Sequence, residues 1–262
     1  MKITLFTKNS NRHNYLINLL SSIADELYVV QECVTIFPGE VPGRYKASNL
    51  MKIYFESVNN AQLKLFGNPY VNNLKKNIKI LPMLHGELNK CSMKLLSDFL
   101  KSDYYIVFGS SFIKSELIDF LVKQRAINIH AGVSPYYRGT DCNFWAMYDN
   151  KPHLVGATIH LLSKGVDSGK ILYHAMPNIT TNPYEFTMST IKSAFHSICE
   201  RIKDESLFKM APVSQDKSKQ IRYSRINEFN EVSLKLYLEK KIQLKNIKFD
   251  NSFLIKPFFL NN

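Results

Sequence analysis

Residues 2–32 read KITLFTKNSNRHNYLINLLSSIADELYVVQE. KITLFT (2–7) has the short, dense apolar run of a buried strand. The polar turn KNSNRH (8–13) follows. LINLLSSIADEL then repeats its apolar residues at helical spacing, and LYVVQE (27–32) is a second strand. Strand, helix, strand in that order opens a βαβ unit. It predicts an α/β fold, a Rossmann-like and mostly parallel sheet flanked by helices.

Downstream, PGEVPGR (38–44) is a turn-rich break, and residues 47–66 carry a longer helical pattern. IKILPM (78–83) reads as a strand and MKLLSDFL (93–100) as a helix. YYIVFG (104–109) is a β-branched and aromatic central strand closed by glycine. A helix near 114–123 and the strand AINIH (126–130) come next. The stretch AGVSPYYRGTDCN (131–143) reads as loop, and FWAMYD (144–149) as a short helix. VGATIHLL (155–162) and KILYHAMP (170–177) are two strands joined by SKGVDSG, an antiparallel or edge pair. Asn182-Pro183 marks the start of a long helix over 184–208, as cap and first-turn proline. The expected division is a catalytic domain over 1–208 and a small C-terminal appendage over 209–262. That appendage is lysine-rich, ends in FLIKPFFL, and is expected to pack on the main domain or form a subunit interface, as in a homodimer.

The 262 residues are 45% hydrophobic and 12% aromatic, ordinary for a globular chain large enough to bury a core. No apolar run reaches the roughly 18 residues of a membrane span. The first residues lack a signal-peptide cleavage pattern, so a cytoplasmic location is expected. Cys33, Cys91, Cys142 and Cys199 are far apart, which argues against a zinc or disulfide framework. The net charge of +12 is spread over sites such as Lys75, Lys76, Lys79, Lys240, Lys241 and Lys245. A diffuse excess of this kind favours a small anionic ligand over nucleic acid.

The chemistry concentrates in residues 126–172. Asn128 and His130 lie two apart on a strand, so both side chains share one face. They sit near its carboxyl end, where open α/β sheets place ligands. Asp167 lies in a glycine-bracketed loop between the two later strands. An amide, an imidazole and a carboxylate suit acyl transfer to an amine. Asn128 and protonated His130 could face the developing oxyanion, and Asp167 could take the amine's proton or hold His130 charged. Singly, each residue has an ordinary explanation as strand hydrogen bonding or turn formation.

Together with their neighbours these residues resemble the formyltransferases that act on glycinamide ribonucleotide, methionyl-tRNA or amino sugars. The resemblance rests on Asn128–His130, Pro135–Gly139, Trp145, Gly156–His160 and Asp167–Gly169, in that order. It is strong over 104–177, thinner over 1–103 and nearly absent after 209. It implies that Asn128, His130 and Asp167 are the catalytic triad and that N10-formyltetrahydrofolate is the formyl donor. It further implies that the pterin meets Phe108, Gly109, Ser110, Ser111, Phe112 and Ile113, and the turn ending at Asp167. Two departures stand out. Gly132-Val133-Ser134-Pro135 replaces the Ser-Leu-Leu-Pro of many members, and the turn after the first strand holds no glycine.

For the acceptor, the turn KNSNRH precedes a helix N-terminus suited to anions, with Ser10 and Arg12 as candidates. Arg138 is a second candidate for a phosphate or for loop structure, and Tyr136 and Tyr137 would stack on a sugar or base or brace the loop. Chain length, the missing glycine loop and the basic charge direct the expectation to a nucleotide-linked amino sugar, formylated for a bacterial surface glycan. The competing expectations are methionyl-tRNA formylation, a non-catalytic binding protein, and a hydrolase of formyl-folate.

Overall fold

The computed structural model describes residues 1–34, 48–71, 76–240, 242, 244–245 and 247–260. The opening unit forms as read: β1 (Lys2–Lys8), α1 (Asn11–Ser21) and β2 (Glu26–Cys33). It continues through α2 (Asn49–Phe66), β3 (Ile78–Leu84), β4 (Tyr104–Phe108), α3 (Ser115–Lys123) and β5 (Ile127–His130). The next elements are β6 (Tyr137–Gly139), α4 (Cys142–Tyr148), β7 (Ala157–Leu161), β8 (Ile171–Met176) and α5 (Pro183–Lys203). Last come β9 (Arg222–Ser224), α6 (Glu231–Glu239) and β10 (Phe258–Phe259). The turn expected over 38–44 lies outside the described residues.

Eight strands form one sheet in the order β10-β8-β7-β5-β4-β1-β2-β3. Strands β1 to β5 run parallel, whereas β7 pairs antiparallel with both β5 and β8. The predicted antiparallel pair is therefore the β7–β8 hairpin. Alternation along β1 explains the layering. Ile3 and Leu5 pack with Leu16 and Leu20 of α1 and Phe195 and Ile198 of α5, while Phe6 joins Leu117 and Leu121 of α3 in a separate cluster. Helices thus cover both faces of a sheet whose central strands are buried on both sides. Asn182 caps α5 by accepting from Tyr184 N and Glu185 N at 2.9 and 3.2 Å, and Pro183 opens its first turn.

Chain order reverses at β1, which lies between β2 and β4. This is the switch point where such sheets open a crevice at the carboxyl ends of their strands. It brings the turn after β1 beside the turn after β4. The two outer edges of the sheet differ. On β3, Pro82 has no N–H to offer. On β8, the end of the chain covers the edge: His174 N donates to Ile255 O at 2.9 Å and Phe258–Phe259 adds a short parallel strand.

Three expectations need correction. MKLLSDFL is no α-helix. Residues 93–96 are a turn and only Ser97–Leu100 forms a single 3-10 turn. The end of the segment is tied to the sheet instead: Phe99 O accepts from Thr4 Oγ1 at 2.6 Å and Leu100 O from Tyr105 OH at 2.7 Å. The long helix stops at Lys203, with a separate 3-10 turn at Leu207–Lys209. The loop 131–143 contains β6, which pairs with β9 from the tail, Tyr137 opposite Arg222 and Gly139 opposite Ser224.

The tail packs into the molecule. Phe229, Leu234 and Tyr237 are buried with Trp145, Met147 and Tyr137 in one aromatic-rich cluster. Each such side chain contributes about 1.5–3 kcal/mol by leaving water. No helix among the described residues is long and apolar enough to cross a membrane.

Candidate active site

Asn128 and His130 point from one face of β5, as their spacing requires. The carboxylate reaches them from an unexpected direction. Because β7 is antiparallel to β5, with Leu161 opposite Ile127 and Thr158 opposite His130, the hairpin loop leaves at the amino end of β5. It folds back so that Asp167 bridges the two side chains. Its Oδ1 lies 3.3 Å from Asn128 Nδ2 and its Oδ2 3.3 Å from His130 Nδ1. Asp167 adopts a φ of 45°, a left-handed conformation that Asp tolerates better than most residues. At Gly169, a Cβ would sit 1.7 Å from Leu161 O, so only glycine lets the loop close.

His160, opposite Asn128 in the ladder, orients the amide. Its Nδ1 donates to Leu161 O at 2.8 Å, which leaves Nε2 as an acceptor when the ring is neutral. Asn128 Nδ2 donates to that Nε2 at 3.0 Å and also to Asp167. The amide is therefore locked with nitrogen inward. Its Oδ1 accepts no bond from the described residues, so the open end of Asn128 is an acceptor.

His130 is buried, with Nε2 at 3.2 Å from Tyr137 O and Nδ1 facing Asp167. Burial pushes this imidazole below its ordinary value, against the pull of the Asp167 charge. For Asp167 burial acts to raise the carboxyl. The His130 and His160 rings and the Gly139 N–H outweigh it, and the group falls to about 2. Asp167 is thus ionised across the physiological range beside a ring that can gain a proton. Gly132 gives His130 its room, since a Cβ there would lie 2.7 Å from His130 Nε2.

The loop after β4 divides. Phe108 and Ile113 are core residues, whereas Gly109, Ser110, Ser111 and Phe112 reach the surface. Gly109 has a φ of +69° and a Cβ there would meet His13 Nε2 at 2.7 Å. Glu32, fully buried at the end of β2, accepts from Ser111 N at 2.5 Å, Ser111 Oγ at 2.8 Å and Gly86 N at 2.8 Å. Asn89 donates to Phe112 O and accepts from Lys114 N, both at 2.8 Å. The Ser111 polar groups are therefore committed inward, which leaves Gly109, Ser110 and the ring of Phe112, 49% exposed, to meet a flat ligand. The sequence reading passed over Glu32 and Asn89. A buried acid at a strand end was the available signal for the first.

At the turn after β1, Ser10 is the N-cap position of α1, and its Oγ pairs with His13 Nδ1 at 2.6 Å. Arg12 lies part-buried with NH1 3.8 Å from Met188 Sδ. Lys8 was not singled out. It is half-buried, and burial lowers its ammonium below the ordinary value, partly offset by Glu32 and reinforced by Arg12.

Tyr137 requires a correction. It is only 1% exposed and its hydroxyl donates to Asp149, so its ring braces the loop and offers no stacking surface. Tyr136 is also buried, against Phe253. Arg138 braces the Asp167 loop by donating to Val166 O at 2.6 Å, and its other NH1 faces Gln220 Oε1 at 3.4 Å.

Residues 89–202, which include Asn128, His130 and Asp167, match the family model described as formyl transferase. Among curated proteins, a methionyl-tRNA formyltransferase of Cyanothece sp. is 24% identical over 142 residues, 53% of this chain and 42% of its own length. One of Trichormus variabilis is 29% identical over 114 residues, 42% of this chain and 34% of its own. The chain thus spans less than half the length of these curated relatives. Among solved structures, a sugar N-formyltransferase of a Shewanella species superposes with a TM-score of 0.55 at 16% identity, covering 91% of this chain and 86% of that one. A formyltransferase of Anoxybacillus kamchatkensis, solved with a UDP-linked formamido sugar and tetrahydrofolate, gives 0.51 at 18% identity, covering 95% and 98%. An N-formyltransferase of Helicobacter canadensis, solved with folinic acid and dTDP-3-aminofucose, gives 0.52 at 13%, covering 90% and 79%. The fold is the formyltransferase fold, and the resemblance read from the motifs holds over the segment that carries the triad.

Proposed function

We propose that this protein transfers a formyl group from N10-formyltetrahydrofolate to the primary amine of a nucleotide-linked amino sugar, for a bacterial surface glycan. The observation that carries the chemistry is the Asp167 carboxylate bridging Asn128 and His130 at 3.3 Å each. The folate-bound and sugar-nucleotide-bound relatives support the choice of donor and acceptor.

The amine nitrogen attacks the formyl carbon, a C–N bond forms, and the bond to N10 breaks. Asn128 Oδ1 accepts from the amine N–H and aims its lone pair. The amine's proton passes to the His130–Asp167 pair, and the resulting imidazolium stabilises the oxyanion. That proton then goes to N10, so N10 leaves as a neutral amine. Asp167 holds the ring and balances its charge throughout. The pterin lies against Gly109, Ser110 and Phe112. Lys8, Ser10 and Arg12 take the anionic part of the acceptor.

The test is release of tetrahydrofolate from N10-formyltetrahydrofolate by purified protein. The expected result is turnover only when an amino-sugar nucleotide is present. Turnover with water or glycinamide ribonucleotide alone would overturn the reading. Methionyl-tRNA is the competing acceptor, favoured by the names of the two curated relatives. Salt-sensitive tRNA binding together with formylation of methionyl-tRNA would establish it instead.

A further inference from the structure

We infer that the C-terminal segment 213–224 is a positioning element of the active site, acting through Gln215 and β9 on Asp167 and His130. This rests on the function proposed above for the triad. Two separate routes reach these side chains, the first Asp167 and the second both.

The first route is the hairpin loop. Gln215 Nε2 donates to Asp167 O at 2.8 Å and to Gly169 O at 2.7 Å. Two carbonyls flanking the catalytic carboxylate are thereby tied to one amide. Just before it, Val213 exchanges N–H···O bonds of 2.8 Å with Ile171 in both directions, which anchors the segment beside the start of β8. Asp167 sits in a left-handed conformation, and the Arg138 bond to Val166 O holds the residue before it.

The second route is the β6–β9 ribbon. Ile221 N and Arg222 N both donate to Tyr136 O, at 2.9 and 3.0 Å, and Thr140 N donates to Ser224 O at 3.1 Å. Ser224 Oγ donates to Arg138 O and Thr140 O. The approach is so close that a Cβ on Gly139 would stand 2.1 Å from Ser224 O. The strand held this way offers its groups to the triad from both ends. Tyr137 O faces His130 Nε2 at 3.2 Å and Gly139 N donates to Asp167 Oδ2 at 3.3 Å. Arg222 locks the ribbon from behind by a bidentate pair with Asp149, at 3.1 and 2.9 Å, while its guanidinium lies over Trp145 at 4.3 Å. The same Asp149 accepts from Tyr137 OH. The tail thus sets where the imidazole and the carboxylate stand relative to each other.

Gln215→Ala is the main test, with Ser224→Ala as the milder variant should the first fail to fold. Val232→Ser, on the exposed face of α6, is the control. The readouts are kcat, KM for the amine, and the titration midpoint of His130 followed by NMR of isotope-labelled histidine. Gln215→Ala should lower kcat by about 10–100-fold, the scale of a misplaced catalytic group, with KM for the amine within about twofold, and should move the His130 midpoint to lower pH as Asp167 drifts away. Ser224→Ala should move both in the same direction by less. A lowered melting temperature with an unchanged His130 midpoint and unchanged kcat would overturn the inference. The midpoint can be read without turnover. A wild-type protein that formylates no amine would therefore sink the proposed function while leaving this inference to be judged by the NMR shift.

Discussion

The triad and the turn after β1 stand on strands separated only by β4, yet their charges are arranged in opposite ways. Around Asp167 the charge is internally answered. The carboxylate has Asn128, His130 and Gly139 as partners, and His160 is fixed by the Leu161 carbonyl. Around Lys8 like charges gather. A half-buried ammonium lies near Arg12, and the acid within reach, Glu32, already holds Ser111 and Gly86. The first arrangement is suited to moving a proton without importing charge. The second is suited to receiving an anion that arrives with the substrate. On the proposed function, chemistry and binding fall to neighbouring strand ends of one sheet, and mutations on the two sides should differ in kind.

The largest effect belongs to the triad. His130→Ala or Asp167→Asn should cut kcat by about 100–1,000-fold or more, with KM for the sugar nucleotide near normal and the circular dichroism spectrum unchanged. An equal rise in KM would show that the two sides are not separate. Acid stability comes next. His174 accepts from Ile255 N at 2.9 Å through Nδ1 and lies 2.9 Å from Ser134 O through Nε2, and burial lowers it from 6.5 to about 4. Between those values the unfolded chain binds the extra proton and the folded chain does not. Its stabilisation is therefore complete above pH 6.5 and is lost as pH falls towards about 4, roughly 3 kcal/mol in all. Denaturant titrations at pH 7 and 5 should show the loss, and His174→Gln should flatten it.

Lys8→Met should raise KM for the sugar nucleotide by about 10–100-fold, the value of one charge-assisted contact, with kcat nearly constant. A fall in kcat alone would move Lys8 to the chemical side. Glu32→Gln should have the smallest effect, raising KM for formyl-folate by about fivefold through a loosened Ser111. Steady-state kinetics with each substrate varied in turn would separate the two.

The sequence made the two sides unequally legible. Asn128 and His130 could be read because strand alternation puts them on one face, and the β1–α1–β2 unit because its periods are local. Glu32 and Gln215 could not be read. Their partners lie 79 and 48 residues away, and neither residue type announces a bond to distant backbone. The same holds for β6, whose three residues form a strand only because β9 pairs with them. Tyr137 was misread for a related reason: an aromatic in a Gly- and Pro-rich loop suggests a stacking surface, but the Asp149–Arg222 pair draws its hydroxyl inward. The expected helix over 93–100 gives way to turns whose end is tied to strand side chains, Thr4 on Phe99 O and Tyr105 on Leu100 O, contacts that local periodicity does not announce.

The two unlike edges of the main sheet bear on how the protein keeps to itself. An uncovered strand margin is a template on which another chain can grow. Pro82 interrupts that template on β3, while on β8 Val213 covers the start of the strand and the stretch from Ile255 to Phe259 shields the rest. A chain cut before Leu254 should consequently begin to scatter light and bind amyloid dyes at concentrations where the full chain stays clear. Those last aromatic residues would then act as a built-in stopper against fibre growth.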